Sequence, residues 1–171
     1  MMKYKSVLLA MATISTALMA GLFFAFSVCI NPAFMRLSDS EYILAMQEIN
    51  LAIVNPIFVF VFIGSPLFLI LTVMTYKKQF GSGKFNYLFV AAVLYVLGCF
   101  GVTVLGNIPL NNQLADFSLQ GSSALQIKAM RAAFADAWNN WHTIRTIAAV
   151  LSSVILVLAC IKKDPPLKGE G

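Results

Sequence analysis

Charged residues are scarce in this chain of 171 residues, of which 11% are Asp, Glu, Lys or Arg and 60% are hydrophobic. A typical soluble domain has about 25% charged residues, so the composition excludes an ordinary soluble protein. The charges are also clustered, which leaves four long stretches without any: 6–35, 49–76, 85–115 and 146–161. These stretches predict four membrane spans, because about 20 apolar residues cross a hydrocarbon core that is ~30 Å thick.

Histidine and cysteine are also scarce, with one histidine and three cysteines in the whole chain. A di-iron bundle needs several Glu-x-x-His pairs, and a zinc site needs three or four protein ligands. Cys29, Cys99 and Cys160 form no C-x-x-C pair, and the predicted spans place them at different depths. No glycine-rich phosphate-binding loop is present either. We therefore expect no metal, no other cofactor and no disulfide chemistry.

The net charge of +5 reflects an uneven distribution of lysine and arginine among the predicted loops. Most of the basic residues lie on one side, at the two termini and between the second and third stretches. Cytoplasmic loops are enriched in such residues, so both termini are predicted to be cytoplasmic. This topology accounts for the charge without a nucleic-acid partner, and we predict a multi-pass protein of the plasma (inner) membrane. The residues on that side are Lys3, Lys5, Lys77, Lys78, Lys84, Lys162, Lys163 and Lys168.

The domain organisation follows from these stretches. We predict an all-α, integral membrane four-helix bundle over residues 1–162, followed by a cytoplasmic tail over 163–171. The fourth charge-free stretch is too short to cross a bilayer, so its span has to extend back to Arg145 and His142. The helix that contains this span is predicted to run from about Ala124 to Lys162. The four spans are expected at about 6–30, 51–76, 85–107 and 142–161.

Local signals predict where the other helices begin, bend and end. The first span is expected to end at the Asn-Pro dipeptide over 31–32, and the third at 108–112, because proline interrupts a helix. Residues 38–41 have the S-x-x-E form of a capping box, which predicts a helix start. That helix is expected to continue into the second span, with kinks near Pro56 and Pro66.

Small residues at helical spacing predict close contact between neighbouring helices in the first and third spans. Without a large side chain, two helix backbones can approach each other closely. The set in the first span is Ala17, Gly21 and Ala25, and the set in the third is Gly98, Gly101 and Gly106.

The strong polar groups of the spans are expected at one end of the bundle, the outer end. At about 100° per residue, Trp138, His142 and Arg145 share one face of the final helix. A polar face in lipid costs several kcal/mol, so this face is expected to turn into the bundle. The asparagines expected at the same level are Asn31, Asn55, Asn107 and Asn111.

Each of these residues also has a purely structural interpretation. A single histidine often bonds between helices, and an arginine near the interface often extends to the lipid headgroups. Trp138 and Trp141 fit an interfacial aromatic belt, and asparagines beside prolines often cap helices or form turns. Their expected convergence on one pocket keeps a functional site open beside these separate roles, because ionisable residues within a membrane are functional candidates by default.

The chemistry open to such a pocket is acid–base work on an apolar, planar substrate that enters from the bilayer. His142 is the candidate base, since imidazole changes its protonation near neutral pH. Arg145, one turn further on, is the candidate group for stabilising an oxyanion. The candidates for holding substrate oxygens are Asn31, Asn55 and Asn107.

Three short motifs stand at the outer ends of the spans: Asn31-Pro32, Pro109-Leu110-Asn111, and W-x-x-W-H-x-x-R over 138–145. On a four-span chain of this length they resemble the anthrone-oxygenase-like family of small integral membrane proteins. The resemblance implies oxidation of an anthrone to an anthraquinone by molecular oxygen, with neither metal nor flavin. It also implies that His142 is the base, that Arg145 stabilises the anion, and that the tryptophans flank the ring.

Two hypotheses follow for the function. In the first, the protein is a cofactor-independent monooxygenase of hydroxyaromatic substrates, and its partners are the lipid bilayer, an anthrone or quinol-like substrate and molecular oxygen. In the alternative, it is a non-catalytic membrane protein that binds a lipid or a protein partner through the same outer-leaflet pocket. The predicted binding residues are Asn31, Asn55, Asn107, Asn111, Trp138 and Trp141.

Overall fold

The computed structural model, which describes residues 2–162, is an all-α bundle of four spans. Four helical stretches are long and apolar enough to cross a membrane, which confirms the predicted fold class. The first and third spans each pack against the second and the fourth. The predicted tail over 163–171 lies outside the described residues, and the orientation in the membrane stays a prediction. The spans are Tyr4–Phe34, Pro56–Thr75, Gly83–Ala115 and Ala124–Ile161.

The first span continues past the Asn-Pro dipeptide at which it was expected to end. The Asn31 N–H donates to the carbonyl of Phe26, five residues back, and Pro32 then falls in the first turn of the next short helix. Proline is tolerated in a first turn, because its nitrogen would have no partner there in any case. The predicted end was therefore wrong. The segments are α1 (Met2–Ala25), a π-helical segment (Phe26–Ile30) and α2 (Asn31–Phe34).

The third span passes its proline in the same way. The Ile108 N–H donates to the carbonyl of Thr103, five residues back, immediately before Pro109. The helix then continues to Ala115, so the end predicted at 108–112 was also wrong. The segments are α5 (Gly83–Val93), two π-helical segments (Leu94–Gly101 and Thr103–Asn107) and α6 (Ile108–Ala115).

The helix that was predicted to continue from the capping box into the second span is in fact two helices. α3 (Asp39–Ile53) begins at the predicted capping box, and α4 (Pro56–Thr75) begins after Asn55. The Phe58 N–H donates to Asn55 Oδ1 at 3.0 Å, which makes Asn55 the N-cap of α4. An asparagine cap followed by proline is a strong helix-start signal, and it interrupts the helix despite the continuous apolar pattern.

The last helix, α7 (Ala124–Ile161), is uninterrupted and begins where it was predicted to begin. Ser123 and Gln126 form a second capping box at its start. Its 38 residues span about 57 Å at 1.5 Å per residue, so its first half extends beyond the membrane-spanning part. There it packs against α3 and α6. We call the end of the bundle that contains α2, α3, α6 and the start of α7 the site end.

Two hydrophobic clusters hold these helices together. The larger cluster runs along the four spans, and the smaller one lies at the site end, where α3, α6 and α7 meet. Burial of such side chains against one another, rather than hydrogen bonding between helices, provides most of the packing contacts. Fully buried members include Met19, Leu69, Leu88 and Leu156 in the larger cluster and Ile43, Met46 and Leu114 in the smaller one.

Arg131 of α7 holds the segment that precedes α3. Its Nη1 donates to the carbonyl of Leu37 at 2.8 Å and to Asp39 Oδ1 at 3.0 Å, while Nη2 donates to the carbonyl of Met35 at 3.1 Å. Its guanidinium also lies 4.6 Å from the centre of the Tyr42 ring. Tyr42 is buried beneath it, and this burial raises the pKa of the phenol to about 12.

Two glycines of the third span pack closely as predicted, whereas the small residues of the first span do not. A Cβ on Gly98 would lie 2.7 Å from the Cβ of Ala148, and one on Gly106 would lie 2.6 Å from the Trp141 ring. A Cβ on Gly21 would have no atom within 4 Å. All three members of the first-span set are exposed, which shows that this set faces away from the bundle: Ala17, Gly21 and Ala25.

Gly98→Ala is expected to destabilise the bundle by about 1–3 kcal/mol, because the new methyl group would overlap that of Ala148. The double variant Gly98→Ala/Ala148→Gly moves the methyl group to the other helix and should recover most of the loss. Gly21→Ala is the control and should not lower stability. Thermal unfolding in detergent micelles measures all three, and equal midpoints for Gly98→Ala and Gly21→Ala would contradict the close contact.

The protein is expected to lose stability as the pH rises from 10 to about 12, because Tyr42 has its ordinary pKa of 10 in the unfolded chain and a pKa of about 12 in the folded chain. Below this interval the phenol is protonated in both states, so its contribution is fully present. Within the interval only the unfolded state releases the proton, which favours unfolding. Tyr42→Phe should therefore lose less stability than the wild type as the pH rises. Unfolding followed by circular dichroism tests this, with exposed Tyr4→Phe as the control.

Candidate functional site

Arg145 and His142, one turn apart on α7, form a hydrogen-bonded pair inside the bundle. Arg145 Nε and Nη2 lie 3.1 and 3.0 Å from His142 Nδ1, and the two residues are only 7% and 1% exposed. A guanidinium can only donate, so Nδ1 accepts both bonds and carries no proton. The proton of the neutral imidazole is then on Nε2, which donates to Ser27 Oγ at 3.0 Å.

Aromatic rings enclose this pair. Trp138 stacks on the His142 ring, with the ring centres 4.9 Å apart and the planes at 10°. The Arg145 guanidinium lies 4.3 Å from the centre of the Phe23 ring and 5.1 Å from that of Trp138. Within residues 2–162, no carboxylate forms an ion pair with Arg145. A buried cation normally has a paired anion, so this guanidinium is suited to binding an anionic ligand.

A cavity of about 660 Å³ adjoins the pair. It lies among α1, the end of α3, the start of α4, α6 and α7, and its size is typical of small-molecule sites, which measure about 300–1,000 Å³. In the described part of the chain, no three His, Cys, Asp or Glu side chains lie close enough together to hold a metal ion. The wall of the cavity is mainly apolar, and its aromatic members are Phe23, Phe26, Phe58, Phe62 and Trp138.

Three of the predicted site residues, Arg145, Trp138 and Asn111, line this cavity. Asn111 Oδ1 accepts a hydrogen bond from Trp138 Nε1 at 2.7 Å, which fixes the orientation of the indole ring. His142 contacts Arg145 but does not line the cavity. The structure therefore places Arg145 at the cavity wall and His142 behind it.

The other predicted site residues lie outside the cavity wall. Asn107 is buried and donates from Nδ2 to the carbonyl of Trp138 at 3.1 Å, and Asn31 bonds to an asparagine side chain of α7 at 2.9 Å. Asn55 is the exposed N-cap of α4, and Trp141 is 42% exposed. All four make contacts that hold helices in place, and their predicted roles in substrate binding stay predictions.

Three further residues of this region were not among the predicted site residues. Ser27 contacts His142, and Thr103 Oγ1 lies 3.5 Å from Arg145 Nη1. Each lies one helical turn before an asparagine that was predicted, so helical spacing would have found both. Glu48 of α3 also lines the cavity. No sequence pattern indicates its position, because it depends on how α3 folds back over the bundle.

A family model described as anthrone oxygenase matches residues 56–155, more than half of the chain. The match begins at α4 and includes Asn111, Trp138, His142 and Arg145. The remaining helices of the cavity wall, α1 and α3, precede the matched region. Comparisons with curated proteins and with solved structures found no match.

His142→Leu is expected to destabilise the protein by roughly 3 kcal/mol, because it leaves the buried Arg145 guanidinium without its main acceptor. The double variant His142→Leu/Arg145→Met removes the charge as well and should be more stable than the single variant. Unfolding in detergent micelles measures both. A double variant that unfolds more readily than His142→Leu would show that the hydrogen-bonded pair is not what holds this region.

Proposed function

The chain belongs to the anthrone oxygenase family, and from this membership we propose that it oxidises hydroxyaromatic substrates of the anthrone or quinol type with molecular oxygen and no cofactor. One observation carries the proposal. The buried guanidinium of Arg145 lines an aromatic cavity and has no carboxylate partner within residues 2–162. Such a group would bind the oxyanion that a hydroxyaromatic compound forms on losing a proton.

Arg145 has hydrogen-bond donors left for a substrate. A guanidinium has five N–H groups. One each from Nε and Nη2 is directed at His142, and one from Nη1 is directed at Thr103. Two donors therefore remain, on a group whose orientation is already set by His142 and Trp138. Donors oriented before the substrate arrives stabilise developing charge at little further cost.

The reaction on an anthrone would begin with removal of a proton from its CH₂ group. The electron pair of that C–H bond moves through the ring to the carbonyl oxygen, which becomes an oxyanion beside Arg145. The electron-rich carbon then reduces molecular oxygen and forms a C–O bond, and the resulting peroxide anion takes up the proton that was removed first, giving a hydroperoxide. Loss of water breaks the O–O bond and the second C–H bond, so one anthrone and one O₂ yield one quinone and one water.

The opening of the cavity suits an apolar substrate that is dissolved in lipid. Leu51 and Val54 line the cavity at the break between α3 and α4, and each is 70% exposed. Ile57, in the next turn, is 79% exposed. An aromatic compound would reach the cavity over this apolar surface without crossing a charged one.

Arg145→Gln is expected to lower the rate of oxygen consumption by about 10²–10³-fold, the usual effect of removing an oxyanion donor. The test uses the purified full chain in nanodiscs with 1,8-dihydroxyanthrone, and it follows oxygen uptake and quinone absorbance together. Lys128→Gln is the matched control, because Lys128 is exposed and lies outside the cavity wall. A wild-type rate no higher than the protein-free rate, over a panel of anthrones and quinols, would disprove the proposal.

The second candidate is a non-catalytic role in which the same cavity binds a lipid or a protein partner. The exposed apolar side chains at its opening favour a lipid over a protein as the occupant. Native mass spectrometry of the detergent-purified chain would then show a retained lipid, which Trp138→Ala would release, together with no turnover of any anthrone.

A further inference from the structure

The group that accepts the substrate proton has to lie at the cavity surface. Among the described residues that line the cavity, two carry ionisable side chains, Arg145 and Glu48. A guanidinium stays protonated in proteins and donates only, so Arg145 cannot take a proton. Glu48 is therefore the one described residue of the wall whose side chain can act as a base.

His142 is poorly placed for that task. Its Nδ1 already accepts two N–H groups of Arg145, and its Nε2 donates to Ser27 rather than facing the cavity. To accept a proton at Nδ1, the ring would have to release the guanidinium that is meant to stabilise the oxyanion. The two functions would then compete for the same nitrogen.

We propose that Glu48 is the proton acceptor of this site and that His142 is a positioning residue for Arg145. This inference rests on the proposed oxidation of hydroxyaromatic compounds. Glu48 is exposed, and no hydrogen bond or ion pair joins it to any described residue. Its carboxylate is therefore free to accept a proton and to pass it to water at the opening of the cavity.

The position of Glu48 is held by its neighbour on α3. Gln47 Nε2 donates to the carbonyls of Leu114 and Phe117, at 2.8 Å each, and so fastens α3 to the end of α6. Met46 packs in the same cluster as Trp138. These contacts fix the helix that carries Glu48 against α6 and α7, so that Glu48 stays at the cavity.

Glu48 and Arg145 line the cavity from different helices, α3 and α7. Met46 of α3 belongs to the same cluster as Trp138, and Arg145 lies two helical turns from Trp138 along α7, about 10 Å along the axis. In an anthrone the acidic CH₂ group and the carbonyl oxygen stand on opposite sides of the central ring. In the proposed complex, a planar substrate whose oxygen contacts Arg145 presents its CH₂ group toward Glu48 across the cavity.

Proton transfer by itself is tested under argon in deuterated buffer. The wild type should exchange the CH₂ protons of 1,8-dihydroxyanthrone faster than the protein-free control, as followed by proton NMR. The exchange rate with Glu48→Gln should be lower than the wild-type rate by about 10²-fold or more. Glu48→Asp should keep part of the rate. The control Asp136→Asn removes an exposed carboxylate that lies outside the cavity wall and should exchange like the wild type.

Two further measurements separate a base from a structural residue. Acetate should restore exchange to Glu48→Ala, because a small carboxylate can occupy the space left at the opening. Glu48→Gln should still bind the coloured compound 1,8-dihydroxyanthraquinone, seen as a shift of its visible spectrum, whereas Arg145→Gln should not. A positional role for Glu48 would give no acetate rescue and would weaken quinone binding.

The outcomes distinguish this inference from the function on which it rests. Wild-type exchange in Glu48→Gln would overturn the inference, and loss of exchange in His142→Gln with quinone binding intact would assign the base to His142. If the wild type exchanges protons, Glu48→Gln does not, and neither consumes oxygen, the oxygenase function fails and Glu48 remains the proton acceptor. If the wild type does neither, both proposals fail.

Discussion

The buried charge of Arg145 is the constraint on which the site end of the bundle depends. A cation within a membrane span is costly unless it is hydrogen bonded or faces a cavity. The Arg145 guanidinium is hydrogen bonded to His142 and also lines the cavity. His142 accepts two of its N–H groups, which sets the tautomer of the ring and directs the remaining proton to Ser27. Phe23 and Trp138 cover the guanidinium from the sides. Side chains of the first and fourth spans are thus arranged around one charge.

Two π-helical segments bring the first and third spans to this charge. The segment Phe26–Ile30 carries Ser27, and the segment Thr103–Asn107 carries Thr103, which contacts Arg145. Each segment stands directly before a short helix that has a proline in its first turn, so the irregular backbone and the site lie at the same level. π-helical turns are often found at functional sites, because they shift side chains out of the regular helical positions. The prolines therefore rearrange the spans near the site instead of ending them.

The parts of the fold that were predictable are those with a local cause. The starts of α3 and α7 depend on capping side chains within a few residues, and the shared face of Trp138, His142 and Arg145 follows from the period of a single helix. The helix ends at the prolines were predicted wrongly. Hydrogen bonds of the π type, to carbonyls five residues back, let the helix continue through the proline-containing segments. The sequence also did not show which of the asparagines lines the cavity. Whether one faces the cavity depends on the rotation of its span, which its own sequence does not reveal.

The sequence by itself determined that this chain has four membrane-spanning helices, that one of them carries a histidine and an arginine on one face, and which family it belongs to. Those properties follow from composition, helical period and short motifs, all of which act within one segment. Only the tertiary structure decided that Arg145 lines the cavity with His142 behind it, and that Glu48 lines the same cavity. Residues so far apart in the chain line one cavity because α3 folds back and is fastened to α6 through Gln47. Contacts between helices are set by packing and rotation of whole elements, which no local pattern specifies.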